Sequence, residues 1–304
     1  MKKSFRDRLR LRSAWPFHVM LLPAVILVII FSYIPMVGVV IAFQDFMPTK
    51  GFFGSPWIGL RHFIYLSDLP DMAQVIRNTV VISVIKIVTN LSFSLLMALL
   101  LNEVVKTWFK RAMQTVYLFP YFLSWVILGG IFVDVFSMES GLAKFLFSLF
   151  RTEPIFFLGT NSWFRVILIT TNTWKDMGYN MVIFLAALTS IDPSLYESAT
   201  IDGATRPQQI WNITLPSIAP IIALLGCLAI GGILNAGFDQ IYIMYNPLVY
   251  SSSEIIDTYV YRLGLIGAQY SLATAAGLFK SVVGFFLIVL SYKLAGKYAG
   301  YRLF

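Results

Sequence analysis

From Val19 to Phe43 the chain runs without a single Asp, Glu, Lys, Arg or His. A stretch of that length is hard to cover in the core of an ordinary soluble domain, whereas a helix crossing a hydrocarbon layer ~30 Å thick needs about 20 mainly apolar residues. Five further stretches meet the same requirement, so the pattern predicts spans at 18–43, 76–101, 114–137, 163–189, 217–243 and 271–295. Composition agrees: 58% of the 304 residues are hydrophobic and 12% charged, against roughly 45–50% and about 25% in soluble domains. The expected fold class is an all-α membrane protein with six transmembrane helices.

The net charge of +8 is explained by topology rather than by nucleic acid, because the basic residues gather at the ends of the apolar runs. With the N-terminus in the cytoplasm, the inner segments 1–17, 102–113, 190–216 and 296–304, together with Lys293, hold 13 Lys and Arg. The outer segments 44–75, 138–162 and 244–270 hold 5. The positive-inside rule therefore places both termini in the cytoplasm. Residues 1–17 read as a basic cytoplasmic segment and 18–304 as one transmembrane domain. The first apolar run is too long for a signal-peptide core and lacks a small-residue cleavage site, so it reads as an uncleaved helix. The aromatic outer segments, among them Tyr245 to Tyr261, are expected to form short helices at the headgroup level. Cys227 is the only cysteine, which excludes a disulfide framework or a cysteine metal site within this chain and leaves a packing role.

The inner segment 190–216 interrupts this oily chain with YESATIDGATRPQQIWNITLP. Asp192 before Pro193 is a helix start, since the carboxylate caps free N–H groups and proline fits the first helical position. A short helix to about Ile201 follows, and Gly203 allows a sharp turn. Thr205 or Arg206 opens a second short helix, which Leu215 and Pro216 are expected to end. The result is a knob exposing Glu197, Asp202 and Arg206 beside apolar side chains, a surface suited to docking.

The same residues resemble the coupling loop of bacterial binding-protein-dependent ABC importer permeases, whose pattern is roughly E-A-A, D-G-A, I-T-L-P. Glu197 and Ala199 match its first part, with Ser198 for the middle alanine. Asp202, Gly203 and Ala204 match the second part, and Ile213, Thr214, Leu215 and Pro216 the third. The run LTSIDPSLYE into the loop is similar to the carbohydrate-uptake branch. YIPMVGVVIAFQDF and SPWIGLRHF, nearer the N-terminus, are similar to LplB-type polysaccharide permeases. The resemblance implies a type I importer permease in the bacterial cell membrane, paired with a second, homologous permease as a heterodimer. It also implies two ATP-binding subunits, which hold ATP and Mg, and an extracellular solute-binding protein that delivers a saccharide. Loop 190–216 would seat on the ATPase, and this chain would bind no cofactor of its own.

Consistent with that division of labour, no G-x-x-x-x-G-K-[ST] phosphate loop occurs in the sequence. Ionisable residues inside spans are costly and mark candidate pathways. Span four carries Asn172, Trp174, Lys175, Asp176 and Tyr179, and Asp239 lies near the outer end of span five; these are the expected substrate-path residues. Lys86 and Lys280 pose the same question in spans two and six. Small residues from Gly226 to Gly237 are expected to let span five approach another helix. An ion-coupled secondary transporter would use such charges too. An intramembrane enzyme needs a catalytic constellation that two histidines and no H-E-x-x-H motif do not supply.

Overall fold

A computed structural model describes residues 5–138, 144 and 155–298. The extreme ends of both terminal segments, and most of outer segment 138–162, lie outside the described residues. Helix α1, Phe5–Val28, continues through a π turn and a 3-10 turn to Phe43. Next come α2 (Arg61–Asp68), α3 (Pro70–Asn102), α4 (Thr107–Leu118), α5 (Trp125–Val135) and α6 (Asn161–Thr189). The chain then forms α7 (Pro193–Ile201), α8 (Arg206–Gln209), α9 (Leu215–Gly231), α10 (Phe238–Met244), α11 (Ile256–Tyr261) and α12 (Tyr270–Tyr298). Among the described residues there is no strand beyond an isolated bridge between Gln44 and Trp57.

Four of the expected spans are helices long and apolar enough to cross a membrane, and there are five if a bent pair counts as one. Helix α6, with 29 residues, is about 43 Å long at 1.5 Å per residue. It is long enough to be the sixth but too polar to pass the same test, and its polar groups turn to α3, to the bend between α4 and α5 and to the outer segment. Two expected spans are broken. Residues 114–137 do not form one rod: Thr107–Phe122 and Trp125–Val135 meet at 95°. Pro120 lies in a 3-10 turn, Leu123 and Ser124 are extended, and the Ser124 hydroxyl caps the new helix at Ile127 N. Residues 217–243 are likewise not continuous, since α9 stops at Gly231 and α10 begins after Gly237, whose φ of 93° suits only glycine well.

Helices α3 and α6 pack most extensively. The buried stripe of α3 includes Asn78, Ser83, Lys86, Asn90 and Ser94 at helical spacing. Its partners are on α6: Ser94 Oγ donates to Met177 O (2.9 Å), Asn180 Nδ2 to Asn90 Oδ1 (2.6 Å), and Thr89 bonds Thr173 (2.9 Å). In hydrocarbon the hydrophobic effect does little to join helices, so packing and such bonds hold them together. Helix α9 lies against α12, where Ser291 Oγ donates to the carbonyl of Cys227, a free and buried packing residue. Of the small residues in span five, Gly231 approaches Ile288 and Ser291 of α12, while Gly226 meets nothing within 4 Å.

The outer segment after Met244 forms the expected short helices, but it packs into the protein rather than resting on its surface. Val249, Ser253, Ile255, Ile256 and Thr258 are fully buried. Arg165 on α6 donates to Ser252 O (2.8 Å) and to Asn78 Oδ1 (2.9 Å), and Ile256 N donates to Thr79 Oγ1 (2.9 Å). These contacts satisfy irregular buried backbone that would otherwise be orphaned. Helix α1 is the opposite case, burying no residue of its most apolar window against the rest of the chain.

Candidate functional site

The break between α9 and α10 opens a cavity of about 420 Å³ beside α3 and α6. Lys86, Asn90, Asn172, Asp176, Asn180 and Asn235 line it. Asn172, Asp176 and Asn180 follow one another at intervals of four on α6, which puts them on one face. Asn172 Nδ2 donates to Asp176 Oδ2 at 2.6 Å. Lys86 crosses from α3 to the break and donates to Ala236 O at 2.7 Å and to Gln240 Oε1 at 2.5 Å. Gln240 in turn donates to Leu168 O and to Thr171 Oγ1, both at 2.9 Å. The freed carbonyl of the broken helix is thus satisfied by an ammonium group, and Gln240 fixes where that ammonium sits.

The structure divides the expected path residues. Asn172 and Asp176 reach the cavity, but Lys175, Trp174 and Tyr179 are on another side of α6, against the bend between α4 and α5. Lys175 Nζ donates to Tyr121 O (2.8 Å), lies 5.2 Å from the Tyr121 ring and is 3.7 Å from Asp176 Oδ1. Tyr179 stacks on Tyr121 at 4.9 Å, and Trp174 meets Phe132 edge-on at 5.9 Å. These three brace the bend. Asp239 is exposed on α10 and does not line the cavity. Lys280 pairs with Asp257 at 2.6 Å. Lys86, raised as an open question in span two, reaches the cavity, while Asn90, Asn180 and Gln240 were not singled out, although the four-residue rhythm Lys86, Asn90, Ser94 is visible on α3.

Loop 190–216 folds as two short helices about Gly203, with one correction: Leu215 and Pro216 do not end the second. It passes through a π turn, Ile210–Thr214, straight into α9, and proline is tolerated there because it falls in the first turn of α9. Asp192 accepts from Ser194 N at 2.9 Å, and that bond holds the exposed carboxyl below its usual range. At the other end of α7, Gly203 N bonds Thr200 O and Ala204 N bonds Ala199 O, with φ of 78° at Gly203. This paired closure satisfies two helix-end carbonyls. Thr205 and Gln208 cap each other's backbone at the start of α8. Gln209, which the motif does not include, is buried and ties the halves together, donating to Thr200 Oγ1 (3.0 Å) and Ala204 O (3.3 Å). Glu197 and Asp202 stay exposed, as do Ile201 (87%) and Trp211 (71%). Glu197 and Arg206 border a second hollow of about 380 Å³ shared with Glu103 and Val105. Ile213 is half-buried within the π turn.

Residues 90–298 match the family model described as "Binding-protein-dependent transport system inner membrane component". The chain belongs to this family. The permease is 41% identical over 299 residues to the polygalacturonan/rhamnogalacturonan transport system permease protein YteP of Bacillus subtilis, covering 98% of this chain and 93% of that one. It is 40% identical over 287 residues to protein LplB of the same organism, covering 94% and 90%. Among solved structures, it superposes with a TM-score of 0.87 at 38% identity on a chain of a bacterial ABC transporter involved in import of the acidic polysaccharide alginate, covering 96% of this permease and 99% of that chain. A second match, at a TM-score of 0.86 and 36% identity over 98% and 99%, is an alginate ABC transporter in complex with an alginate pentasaccharide-bound periplasmic protein. The permease is therefore a multi-pass membrane component of a binding-protein-dependent importer, and the secondary-transporter and enzyme readings give way.

Proposed function

We propose that this permease carries a uronate-bearing oligo- or polysaccharide through the cavity at the break between α9 and α10. The carrying observation is Lys86. It is buried and lines the cavity, and among the described residues it forms no ion pair, whereas Lys175 and Lys280 each have a carboxylate. Two of its three N–H groups are used by Ala236 O and Gln240, which leaves one for a substrate carboxylate. The neighbouring Asn90, Asn172, Asn180 and Asn235 offer donors and acceptors for sugar hydroxyls. The relatives and structural neighbours named for polygalacturonan and alginate support an acidic substrate.

In the same reading the permease sits in the bacterial cell membrane beside a homologous second permease. Two ATP-binding subunits, holding ATP and Mg, dock on loop 190–216, and an external solute-binding protein hands over the saccharide. Exposed Ile201 and Trp211 flanking Glu197 and Asp202 give the loop a mixed apolar and acidic face for that docking.

The test is uptake of an oligogalacturonate against a neutral xylo-oligosaccharide by cells expressing the complete transporter. Lys86→Met is expected to reduce oligogalacturonate uptake at least about tenfold, the size of one lost charge-assisted hydrogen bond, with Lys86→Arg recovering part of it. Preferred uptake of the neutral sugar, unchanged by Lys86→Met, would overturn the acidic-substrate reading.

A further inference from the structure

Gly237 is among the residues lining the cavity, and from the next residue in the chain a line of aromatic rings begins. Phe238 stacks on Tyr242 at 5.3 Å with the planes 12° apart, and Tyr242 meets Tyr261 of α11 at 4.7 Å. Tyr242 OH donates to Tyr261 OH at 3.0 Å, fixing the two rings relative to each other. The line continues from Tyr242 to Tyr245 at 6.2 Å and on to Tyr250 at 4.9 Å. Phe238 and Tyr242 are four apart and share one face of α10, and Tyr245 follows directly after its last residue. The other face of α10 buries Gln240, Ile241 and Met244 in the core.

We infer that this aromatic ladder is an outer stacking track, which receives successive pyranose units of the saccharide and passes them to the cavity. The inference rests on the saccharide reading above but not on the charge of the sugar. Three features favour a sugar over lipid as the occupant. The face carries phenol hydroxyls tied to each other, and Tyr242 is 38% exposed. The ladder starts at Phe238, directly after Gly237, which lines a cavity that also holds amide side chains. Phe238 and Tyr242 lie nearly parallel, and a pyranose C–H face suits an aromatic ring of this kind. At its outer end the Arg262 guanidinium lies 5.6 Å from the Tyr250 ring and is already held by Glu254 at 2.7 and 3.0 Å, so the ladder recognises rings rather than charge.

The test compares the double variant Tyr242→Leu/Tyr261→Leu with Tyr242→Phe/Tyr261→Phe in the complete transporter, using oligogalacturonates of increasing length. The leucine pair keeps the bulk and loses the rings. It is expected to raise the half-saturating concentration about tenfold, more for longer oligomers, with the maximal rate retained, while the phenylalanine pair stays within about twofold. Should the leucine pair not accumulate, Phe238→Leu gives a smaller shift of the same kind. Parental uptake by Phe238→Leu and the leucine pair would place this face against lipid, and loss of the co-purifying second permease would make it a subunit contact; either overturns the ladder. If a neutral oligosaccharide is carried instead and shows the same leucine sensitivity, the acidic-substrate reading fails and the ladder stands.

Discussion

Gly178→Val is expected to abolish recovery of folded permease. A Cβ at this position would lie 2.1 Å from the Tyr117 carbonyl oxygen, 2.6 Å from its carbon and 2.9 Å from Leu118 Cα. All three are backbone atoms, so no side-chain rotation relieves the clash and α4 must move off α6. That movement also withdraws the Tyr121 carbonyl from Lys175 and separates the Tyr121–Tyr179 stack. Overpacking a core usually costs about 1–3 kcal/mol, and a lost hydrogen bond to a charged group adds about 1.5–3. Together, at about 2.5–6 kcal/mol, they are comparable with a whole-protein stability at the low end of the usual range of about 5–15 kcal/mol. The measurement is the yield of monodisperse protein after detergent extraction, expected below about a tenth of the parent. Gly226→Ala, at a position with nothing within 4 Å of the added carbon, is the control and should extract normally.

Gly203→Pro is expected to leave the membrane helices in place and disconnect them from ATP hydrolysis. The residue sits at φ of 78°, while proline holds φ near −65°, and proline also disfavours the helical conformation Asp202 now has. The Gly203 N bond to Thr200 O is lost as well. The closing turn therefore opens, and the angle between α7 and α8 that Gln209 holds is no longer defined. In the reconstituted transporter, saccharide transported per ATP hydrolysed should fall at least about tenfold, since a misplaced element at a working site commonly costs that much or more. Glu197→Lys is the companion test. Glu197 is exposed and its side chain makes no hydrogen bond or ion pair among the described residues, so reversing its charge changes docking without unfolding the loop. Unchanged coupling in both variants would remove loop 190–216 from the proposed ATPase contact.

Loop 190–216 was legible because its signals are local. A capping Asp192, a proline at the first helical position and a glycine at a left-handed turn act within a few residues of themselves, and the structure places each where the sequence indicates. Gln209 escaped because its two partners, Thr200 and Ala204, come near it only after the turn has closed. The spans were legible as apolar runs, but the breaks in the third and fifth were not. Pro120 is a permissive signal found in many unbroken helix ends, and apolarity continues through Leu123 and through Ile233 and Leu234, so hydropathy alone draws a continuous rod.

What the amino-acid sequence determined by itself is the solvent, the number and sequence of apolar segments, and the shape of loop 190–216. Each of these follows from composition or from interactions between near neighbours in the chain. What only the tertiary structure decided is which polar residues meet. On α6, Asp176 reaches the cavity while adjacent Lys175 braces a bend, because successive residues on a helix point about 100° apart and the broken helices lie on different sides. The outer segment around Ile255 became core instead of surface because Arg165, Asn78 and Thr79, far away in sequence, supply the hydrogen bonds its backbone needs once it is buried in the protein.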